Sequence, residues 1–414
     1  YEISLGLVGS EMCIRDRGNT ILGTNNSSER LGQAVSLSSD GSIIAIGARY
    51  NSLLGSGRGM VKIYTYNAAT SQWNLSGNIY GENNAEYFGT SVSLSSDGSI
   101  LAVGADQDGG SGPGLVRVYR LISGNWSKQG ADIIGDSRNG THNKSGYSVS
   151  LSSDGSRVAI GAYHNDAKAS NAGHVRIYDY NGSAWVKVGG DIEGEAAGDA
   201  SGWSVSLSSD GSRVAISAQY NNGNGSYSGH IRIYEYSGNN WSQLGDDIDG
   251  KAENHYSGRS VSLSSDGTRV ATGSPLADVG NNTSSNEGLV RIYDFNGTTW
   301  TQVGSDIYGE AEFDHSGTSV SLSSDGKRVA IGAPYNDEGG SQSGHVRVYS
   351  LPRGESYQYA WDVDSGGAPS DGTYRATVAG SDLAGNAYSG TDLSLIHISE
   401  PTRPRLISYA VFCL

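Results

Sequence analysis

The chain has few cysteines, few charges and no long apolar run. Its 414 residues include two cysteines, Cys13 and Cys413, and both lie near the ends. The part between about residues 18 and 393 therefore uses neither disulfides nor thiol chemistry. That part contains no run of about 18 apolar residues, so we expect no membrane-spanning helix in it. Charged residues make up 17% of the chain and leave a formal net charge of −15.

The acidic balance argues against two classes of partner. Nucleic acid phosphates require patches of Lys and Arg, which a chain with a pI of about 4.9 does not favour. Anionic membrane surfaces likewise attract basic segments. We therefore expect no nucleic acid partner and no membrane insertion. An acidic composition rich in Gly, Ser and Asn suits an extracellular or surface-displayed protein.

Short catalytic motifs are also missing. The sequence contains no Gly-x-Ser-x-Gly, no His-Glu-x-x-His and no phosphate-cradling glycine loop before a helix. No helical periodicity is evident either, and we find no non-repeating group of acid, base and nucleophile. On these grounds we expect a protein that is not an enzyme.

A repeated motif dominates the chain. Six copies of a segment resembling Ser-Val-Ser-Leu-Ser-Ser-Asp-Gly are each followed by an apolar strand, and their aspartates are Asp40, Asp97, Asp154, Asp210, Asp266 and Asp325. These aspartates are 57, 57, 56, 56 and 59 residues apart. A fixed period of this size indicates an array of identical supersecondary units. Recognition must then come from what differs between the copies.

Each copy is predicted to contain four antiparallel strands. In the third copy, alternating apolar residues predict strands at about 147–151, 157–162, 173–180 and 185–192. Asp154-Gly155 and Asn181-Gly182 supply hairpin turns, since these dipeptides readily adopt positive φ. Four strands per repeat are typical of a β-propeller blade. We therefore predict an all-β protein built as a β-propeller of four-stranded blades.

Details of the repeat resemble a known family. Phe88-Gly89 before the first strand, and Gly104-Ala105 or Gly332-Ala333-Pro334 after the second, resemble the FG-GAP repeat of integrin alpha-subunit propellers. The resemblance covers about residues 18–354. FG-GAP blades often carry an Asp-x-Asp-x-Asp-Gly calcium loop, but here a tight Ser-Ser-Asp-Gly turn replaces it. The family's calcium sites are therefore not expected in these turns. TolB-like and WD40-like propellers share a similar turn, but their repeats are shorter.

The number of blades stays open between six and seven. Asn19–Gly23 matches the end of a fourth strand, whereas the last copy ends after about residues 346–351. The N-terminal strand could complete the last blade and close a ring of six. Alternatively, a further copy belongs upstream and the ring has seven blades.

The regions outside the repeats have different characters. Residues 355–393 resemble the later strands of a bacterial Ig-like repeat, and they are too few for a complete sandwich. Residues 1–17 and 394–414 resemble translated sequencing-adapter read-through, so we expect both to be non-native. The predicted domains are therefore a propeller at 18–354 and a truncated Ig-like segment at 355–393.

Several conspicuous residues recur at one position of the repeat, and we interpret them as structural. The histidines His174, His230 and His345 align with Met60, Leu115 and Leu289, which indicates a packing position. Aligned tryptophans, including Trp185 and Trp241, indicate blade packing. Aligned arginines such as Arg157 are replaced by Ile43 and Ile100 in two copies, as expected for a strand residue with a long apolar stem. Six identical turn aspartates are expected to form turns.

The variable loops carry the predicted sites. Carboxylates there are possible calcium ligands, and the candidates are Asp106, Asp108, Asp337 and Glu338. If they bind calcium, millimolar calcium should raise the melting temperature. Further carboxylates are candidates for ligand binding on the loop face, and these are Asp166, Glu195, Asp199, Glu310, Glu312 and Asp314.

The sequence favours a binding or adhesion module at the cell surface. We expect it to recognise a protein or a glycan through the variable loops, an inference that depends on analogy at the level of the fold. The alternative is an accessory module of a large secreted enzyme that acts on polysaccharides. No cofactor besides possible calcium is expected.

Overall fold

The computed structural model describes residues 18–23, 29–107, 112–136, 143–278 and 285–351, together with four short strands between residues 373 and 397. Every regular element in this described part is a β-strand. The chain divides into two units, Tyr1–Arg353 and Gly354–Leu414. No described helix is long and apolar enough to cross a membrane.

The first unit consists of six antiparallel sheets in chain order, which we number blades 1 to 6. Blade 1 contains β1 (Ala34–Leu37), β2 (Ile43–Ala48), β3 (Met60–Asn67) and β4 (Gln72–Tyr80). Blade 2 contains β5 (Phe88–Leu94), β6 (Ile100–Ala105), β7 (Leu115–Ile122), β8 (Asn125–Lys128) and β9 (Ile133–Ile134). Blade 3 contains β10 (Ser148–Leu151), β11 (Arg157–Ala162), β12 (His174–Tyr180), β13 (Trp185–Lys187) and β14 (Ile192–Glu193).

The remaining blades repeat this plan. Blade 4 contains β15 (Val205–Leu207), β16 (Arg213–Ala218), β17 (His230–Ser237), β18 (Asn240–Gln243) and β19 (Ile248–Asp249). Blade 5 contains β20 (Ser260–Leu263), β21 (Arg269–Ser274), β22 (Leu289–Phe295), β23 (Trp300–Gln302) and β24 (Ile307–Tyr308). Blade 6 contains β25 (Ser319–Leu322), β26 (Arg328–Ala333) and β27 (His345–Ser350). The predicted β-propeller is therefore confirmed, with six blades in the described residues.

The second unit contributes two short antiparallel pairs. β28 (Thr373–Tyr374) pairs with β31 (Ile396–His397), and β29 (Val378–Ser381) pairs with β30 (Ala387–Gly390). The other residues of the Ig-like segment, and residues 1–17, lie outside the described part. The Ig-like and read-through assignments stay predictions.

The Ser-Ser-Asp-Gly turns have the predicted geometry. In blade 3, Asp154 accepts hydrogen bonds from the Ser152 hydroxyl at 2.7 Å and from the Ser156 amide at 3.0 Å. Gly155 follows with a φ of 68°, a left-handed conformation that glycine adopts without strain. The equivalent aspartate accepts the same two hydrogen bonds in the other five blades, so each turn is stabilised by bonds between its own residues.

One strand differs from its prediction. The fourth strand expected at 185–192 is two pieces, β13 and β14, which both pair with β12. Gly189, with a φ of 72°, interrupts the ladder, and a Cβ there would lie 2.7 Å from Cδ1 of Trp241 in blade 4. The chain leaves the sheet at this point because the tryptophan of the next blade occupies the space.

The core lies between blades and is not enclosed within any one blade. Between blades 3 and 4, for example, Val175 and Ile177 pack against Leu207 and Val214. Hydrogen bonds reinforce each junction near the axis, where the Leu207 amide donates to the Ser150 hydroxyl at 3.0 Å. Equivalent bonds join each of the five successive blade pairs.

Within the part of the chain that the structure describes, blade 1 has no blade packed on the face that would meet a preceding blade, and blade 6 has none on the face that would meet a following blade. Val35 and Leu37 of blade 1 are 59% and 54% exposed, although the equivalent Val92 and Leu94 of blade 2 are buried. Val346 of blade 6 is 54% exposed. In the described residues β27 has no fourth-strand partner. We call these two faces the seam.

Candidate functional site: the loop face

Antiparallel strands place alternate connections at opposite ends of the propeller. The Ser-Ser-Asp-Gly turns and the turns between third and fourth strands lie at one end, the turn face. The loops between second and third strands, and the connections between blades, lie at the other end, the loop face. Sequence variation between the copies is concentrated on the loop face.

The turn face offers little chemistry. A cavity of about 270 Å³ opens on the axis there, and leucines and serines from all six blades line it, including Leu94, Leu151, Ser96 and Ser153. The lining carries no titratable side chain. Because every blade contributes the same residue types, this end does not discriminate well between ligands.

The predicted calcium ligands do not form one site among the described residues. Asp106 is buried and accepts bonds from Arg49 at 3.0 Å and from the Thr90 hydroxyl at 2.9 Å, while Lys144 lies 3.4 Å away. Asp108 lies outside the described residues. Asp337 accepts a hydrogen bond from the Gln342 amide at 2.6 Å. Of the three candidates that the structure describes, Glu338 alone belongs to a group of potential metal ligands.

The other predicted carboxylates lie on the loop face, where most are engaged with the protein itself. Asp199 and Asp314 are buried and accept bonds from Asn221 at 3.1 Å and Asn336 at 3.0 Å. Asp166 accepts the Asn171 amide at 2.6 Å, and Glu312 is exposed. The role of these residues in ligand binding stays a prediction.

Glu195 and Glu310 belong to ion pairs that join consecutive blades. Arg232 of blade 4 bonds to Asp247 of its own blade at 2.8 Å and also to Glu195 of the preceding connection. Arg347 of blade 6 pairs with Glu310 in the same way. Corresponding pairs join Arg117 to Glu82 and Arg176 to Asp136.

Blade 5 inverts this arrangement. Lys251 takes the place of the acidic residue in the connection and bonds to Asp306 at 2.6 Å. Burial raises the pKa of Asp306, but hydrogen bonds from Lys251, Gln302 and Tyr308 outweigh it and lower that pKa to about 2. The ion pair therefore persists across the physiological pH range.

Within the described ranges, two groups of side chains could hold a metal ion. Donor atoms lie within 4.8 Å of one another in Glu195, His230 and Asp247, and again in Glu310, Glu338 and His345. The aligned histidines thus have acidic neighbours that the packing interpretation did not anticipate. Arg232 and Arg347 already neutralise carboxylates of these groups, and the histidine nitrogen does not match the oxygen preference of calcium.

A group of aromatic residues that the sequence analysis missed lies at the axis on the loop face. The ring centroid of Tyr147 is 4.5 Å from that of Tyr163 and 4.8 Å from that of Trp203, and Trp203 lies 5.7 Å from Tyr220. The Arg259 guanidinium lies 4.9 Å above the Trp203 ring, and its charge also acts on the Tyr147 hydroxyl and opposes the rise in the pKa of Tyr147 that burial causes. We call these five residues the mouth cluster.

The position that precedes each first strand carries the signal for this cluster. The residue after the loop-face glycine differs in nearly every copy, and the six are Gln33, Thr90, Tyr147, Trp203, Arg259 and Thr318. The four residues that follow it are nearly constant, Ala-Val-Ser-Leu in blade 1 and Ser-Val-Ser-Leu in the other five blades. Aligning the copies at this glycine would have found Tyr147, Trp203 and Arg259 of the mouth cluster.

Comparison with known proteins agrees with the fold. The architecture defines a β-propeller, and residues 309–349 match the FG-GAP repeat family. The chain therefore carries an FG-GAP repeat, as its sequence resemblance indicated. No curated protein sequence matches the chain.

Solved structures share the architecture at low identity. A candidate 6-phosphogluconolactonase from Bacteroides uniformis ATCC 8492 is 13% identical, with a TM-score of 0.54 over 78% of this chain and 81% of that one. A candidate 6-phosphogluconolactonase from Bacteroides fragilis NCTC 9343 is 11% identical, with a TM-score of 0.49 over 77% and 84%. Kuenenia stuttgartiensis hydrazine synthase is 15% identical, with a TM-score of 0.47 over 76% and 78%.

The first of these structures corrects one expectation. The sequence analysis excluded an enzyme because familiar catalytic motifs were missing, and that exclusion is wrong. The candidate lactonase from Bacteroides uniformis has a similar propeller. Short linear motifs are a poor guide in this fold because a propeller can assemble a site from single residues on several blades.

Proposed function

We propose that this protein is a ligand-binding β-propeller of the cell surface or extracellular space, and that its loop face contacts the ligand. A propeller with an FG-GAP repeat fits a binding module. FG-GAP repeats are typical of extracellular proteins, and the acidic composition is compatible with that location. The ligand class expected from the sequence is a protein or a glycan.

The contrast between the two faces is the observation that supports this proposal. Turn-face residues repeat from blade to blade, whereas the loop face varies in length, charge and aromatic content. The variable residues Tyr147, Trp203 and Arg259 come from blades 3, 4 and 5 and meet at the axis. Tyr, Trp and Arg are also the residues most enriched in binding hot spots.

The test compares variants on the two faces. The protein is applied to an array of glycans and to a panel of purified extracellular proteins, with Trp203→Thr as the loop-face variant and Lys327→Ala as the turn-face control. Thr occupies the equivalent position in blades 2 and 6, so the loop-face variant should fold. We expect Trp203→Thr to lose most binding and Lys327→Ala to retain it. Equal binding by both variants would refute a role for the loop face.

A further inference from the structure

The mouth cluster lies where residues from several blades converge. Arg259 of blade 5 reaches Tyr147 of blade 3, and Arg49 of blade 1 reaches Asp106 of blade 2. A ligand at this point therefore contacts side chains that no single repeat contains. Such convergence is typical of binding sites on propellers and other symmetric scaffolds, where a few polar groups are set among aromatic rings.

The aromatic rings of the cluster are half-buried, so they are held in place and still reach solvent. Tyr147, Tyr163 and Trp203 contact one another edge-on or tilted, with centroids 4.5 to 4.8 Å apart. Because this packing already fixes the rotamer of each ring, a ligand that binds there loses little affinity to the ordering of side chains. Flat apolar rings with polar OH and NH edges match the apolar faces and hydroxyl edges of a sugar.

The charge of the mouth is opposite to that of the chain. Arg49, Lys144 and Arg259 lie at or beside it, and Asp106 is the acidic residue among them. Asp106 is shared by Arg49 and Lys144, whereas Arg259 has no acidic partner among the described residues. A positive centre thus lies within a protein of net charge −15.

The surrounding acidic residues limit what this centre can attract. Glu195, Glu253 and Glu312 are exposed on the connections around the loop face. They would repel a broad acidic protein surface or a densely charged polymer over distances of about 8–10 Å at physiological salt. A narrow ligand that carries a single anionic group avoids most of this repulsion.

We propose that the mouth cluster binds an anionic carbohydrate residue, with the sugar ring against Trp203 and the tyrosines and its acidic group on Arg259. This inference depends on the proposed function and specifies its ligand class. The acidic group can be a carboxylate, as in a uronic acid, or a sulfate ester. Both offer the oxygens that a guanidinium binds in pairs.

Titration of defined oligosaccharides tests the proposal. The probes are a uronic acid-terminated oligosaccharide, a sulfate-terminated one and the neutral homologue, measured by isothermal titration calorimetry. We expect at least one acidic probe to bind at least tenfold more tightly than the neutral homologue, and less tightly at raised salt. The preferred acidic probe identifies the source of the charge.

Two variants assign the contacts. Arg259→Gln copies the native residue Gln33 of blade 1, and we expect it to reduce affinity for the acidic probe to that for the neutral one. Trp203→Thr should lower the affinity for all three probes. Arg120→Gln, at an exposed arginine away from the mouth, should change none of them.

Several results would overturn the proposal. Equal affinity for acidic and neutral probes, or unchanged affinity in Arg259→Gln, would exclude the anionic site. If no oligosaccharide binds but the loop-face variant still loses binding to a purified protein, the carbohydrate inference fails and the proposed function stands. If Trp203→Thr binds both the oligosaccharides and the purified proteins as the native protein does, the carbohydrate inference and the proposed function both fail.

Discussion

Histidine and leucine are interchangeable at the start of the third strand, and the histidines make stability depend on pH. His174 is 2% exposed, and its Nδ1 lies 3.9 Å from Asp191. Burial lowers the pKa of His174 to about 4, with Arg176 and Lys187 acting in the same direction, and the carboxylates of Asp191 and Asp136 offset only part of this. The imidazole is therefore neutral in the folded protein at pH values where the unfolded chain is protonated.

The sign of the effect follows from this difference. As pH falls from about 6.5 to about 4, protons bind the unfolded chain at His174 but not the folded protein, so the free energy of unfolding decreases. A shift of this size corresponds to about 3 kcal/mol. Above pH 7 the residue contributes no pH dependence.

We predict that His174→Leu flattens the pH dependence of stability. Leu115 and Leu289 occupy the equivalent positions in blades 2 and 5, so the fold accepts leucine there. Denaturant unfolding at pH 7.5 and pH 4.5 should show a smaller loss of free energy on acidification in the variant than in the native protein, by about 2 kcal/mol. Parallel losses in the two proteins would contradict the assignment.

At the scale of strands, a side chain at the start of the second strand in blades 1 to 5 contacts the next blade on the turn face. Arg269 is fully buried, bonds to Asp294 on the neighbouring strand at 2.5 Å and donates to the Gly326 carbonyl of blade 6 at 2.7 Å. Arg157 and Arg213 make the same contacts with blades 4 and 5. In blades 1 and 2 an isoleucine packs against the turn glycine of the next blade instead.

We predict that Arg269→Ala lowers the free energy of unfolding by about 2–3 kcal/mol, because it leaves a partly buried carboxylate without its partner and opens a cavity. The double variant Arg269→Ile/Asp294→Thr copies the Ile43 and Thr65 pair of blade 1. Chemical denaturation should find the double variant more stable than Arg269→Ala. A double variant as unstable as Arg269→Ala would show that the contact between blades 5 and 6 requires the Arg269–Asp294 ion pair.

The sequence predicted these strands better than it predicted their contacts. Alternating residues such as Val149 and Leu151 and the Asp154-Gly155 turn are local signals, so the strands and hairpins were predictable. The bond from Arg269 to a carbonyl 57 residues away depends on how blades rotate about the axis. The same reason hid the mouth cluster, since Tyr147 of blade 3 and Arg259 of blade 5 come together around Trp203 of blade 4 only when the blades are arranged about that axis.

At the scale of the whole propeller, residues 18–23 occupy the place of a preceding blade's last strand. Their sequence, Gly-Asn-Thr-Ile-Leu-Gly, aligns with residues 189–194 of blade 3. A Cβ on Gly18 would lie 2.9 Å from Cδ1 of Trp73, just as Gly189 is placed against Trp241. Asn19 also accepts the Trp73 amide at 2.7 Å. Blade 1 therefore presents the same packing surface to a preceding blade as the other blades do.

The two faces of the seam are complementary in kind. Val35 and Leu37 are first-strand residues, and in the other blades the equivalent residues pack against the preceding blade. Val346 is a third-strand residue, and its equivalents pack against the following blade. The Val346 face of one molecule can therefore pack against the Leu37 face of another. Such a head-to-tail contact leaves one seam face free on each terminal molecule, so it can extend from molecule to molecule.

We predict that the isolated chain self-associates through the seam as its concentration rises, because exposed apolar strand faces of this kind are buried at the five other junctions. Sedimentation velocity across a wide concentration range should show growing oligomers. The double variant Leu37→Asp/Val346→Asp should remain monomeric.

A matched control uses apolar residues that are similarly exposed elsewhere. Leu75→Asp/Val186→Asp adds the same two charges away from the seam, so it should associate like the native chain. A native chain that stays monomeric at every concentration would contradict the prediction. That result would indicate that the molecule covers its own seam, with residues 18–23 pairing with β27 in the register that joins Ile192 to Val175 in blade 3.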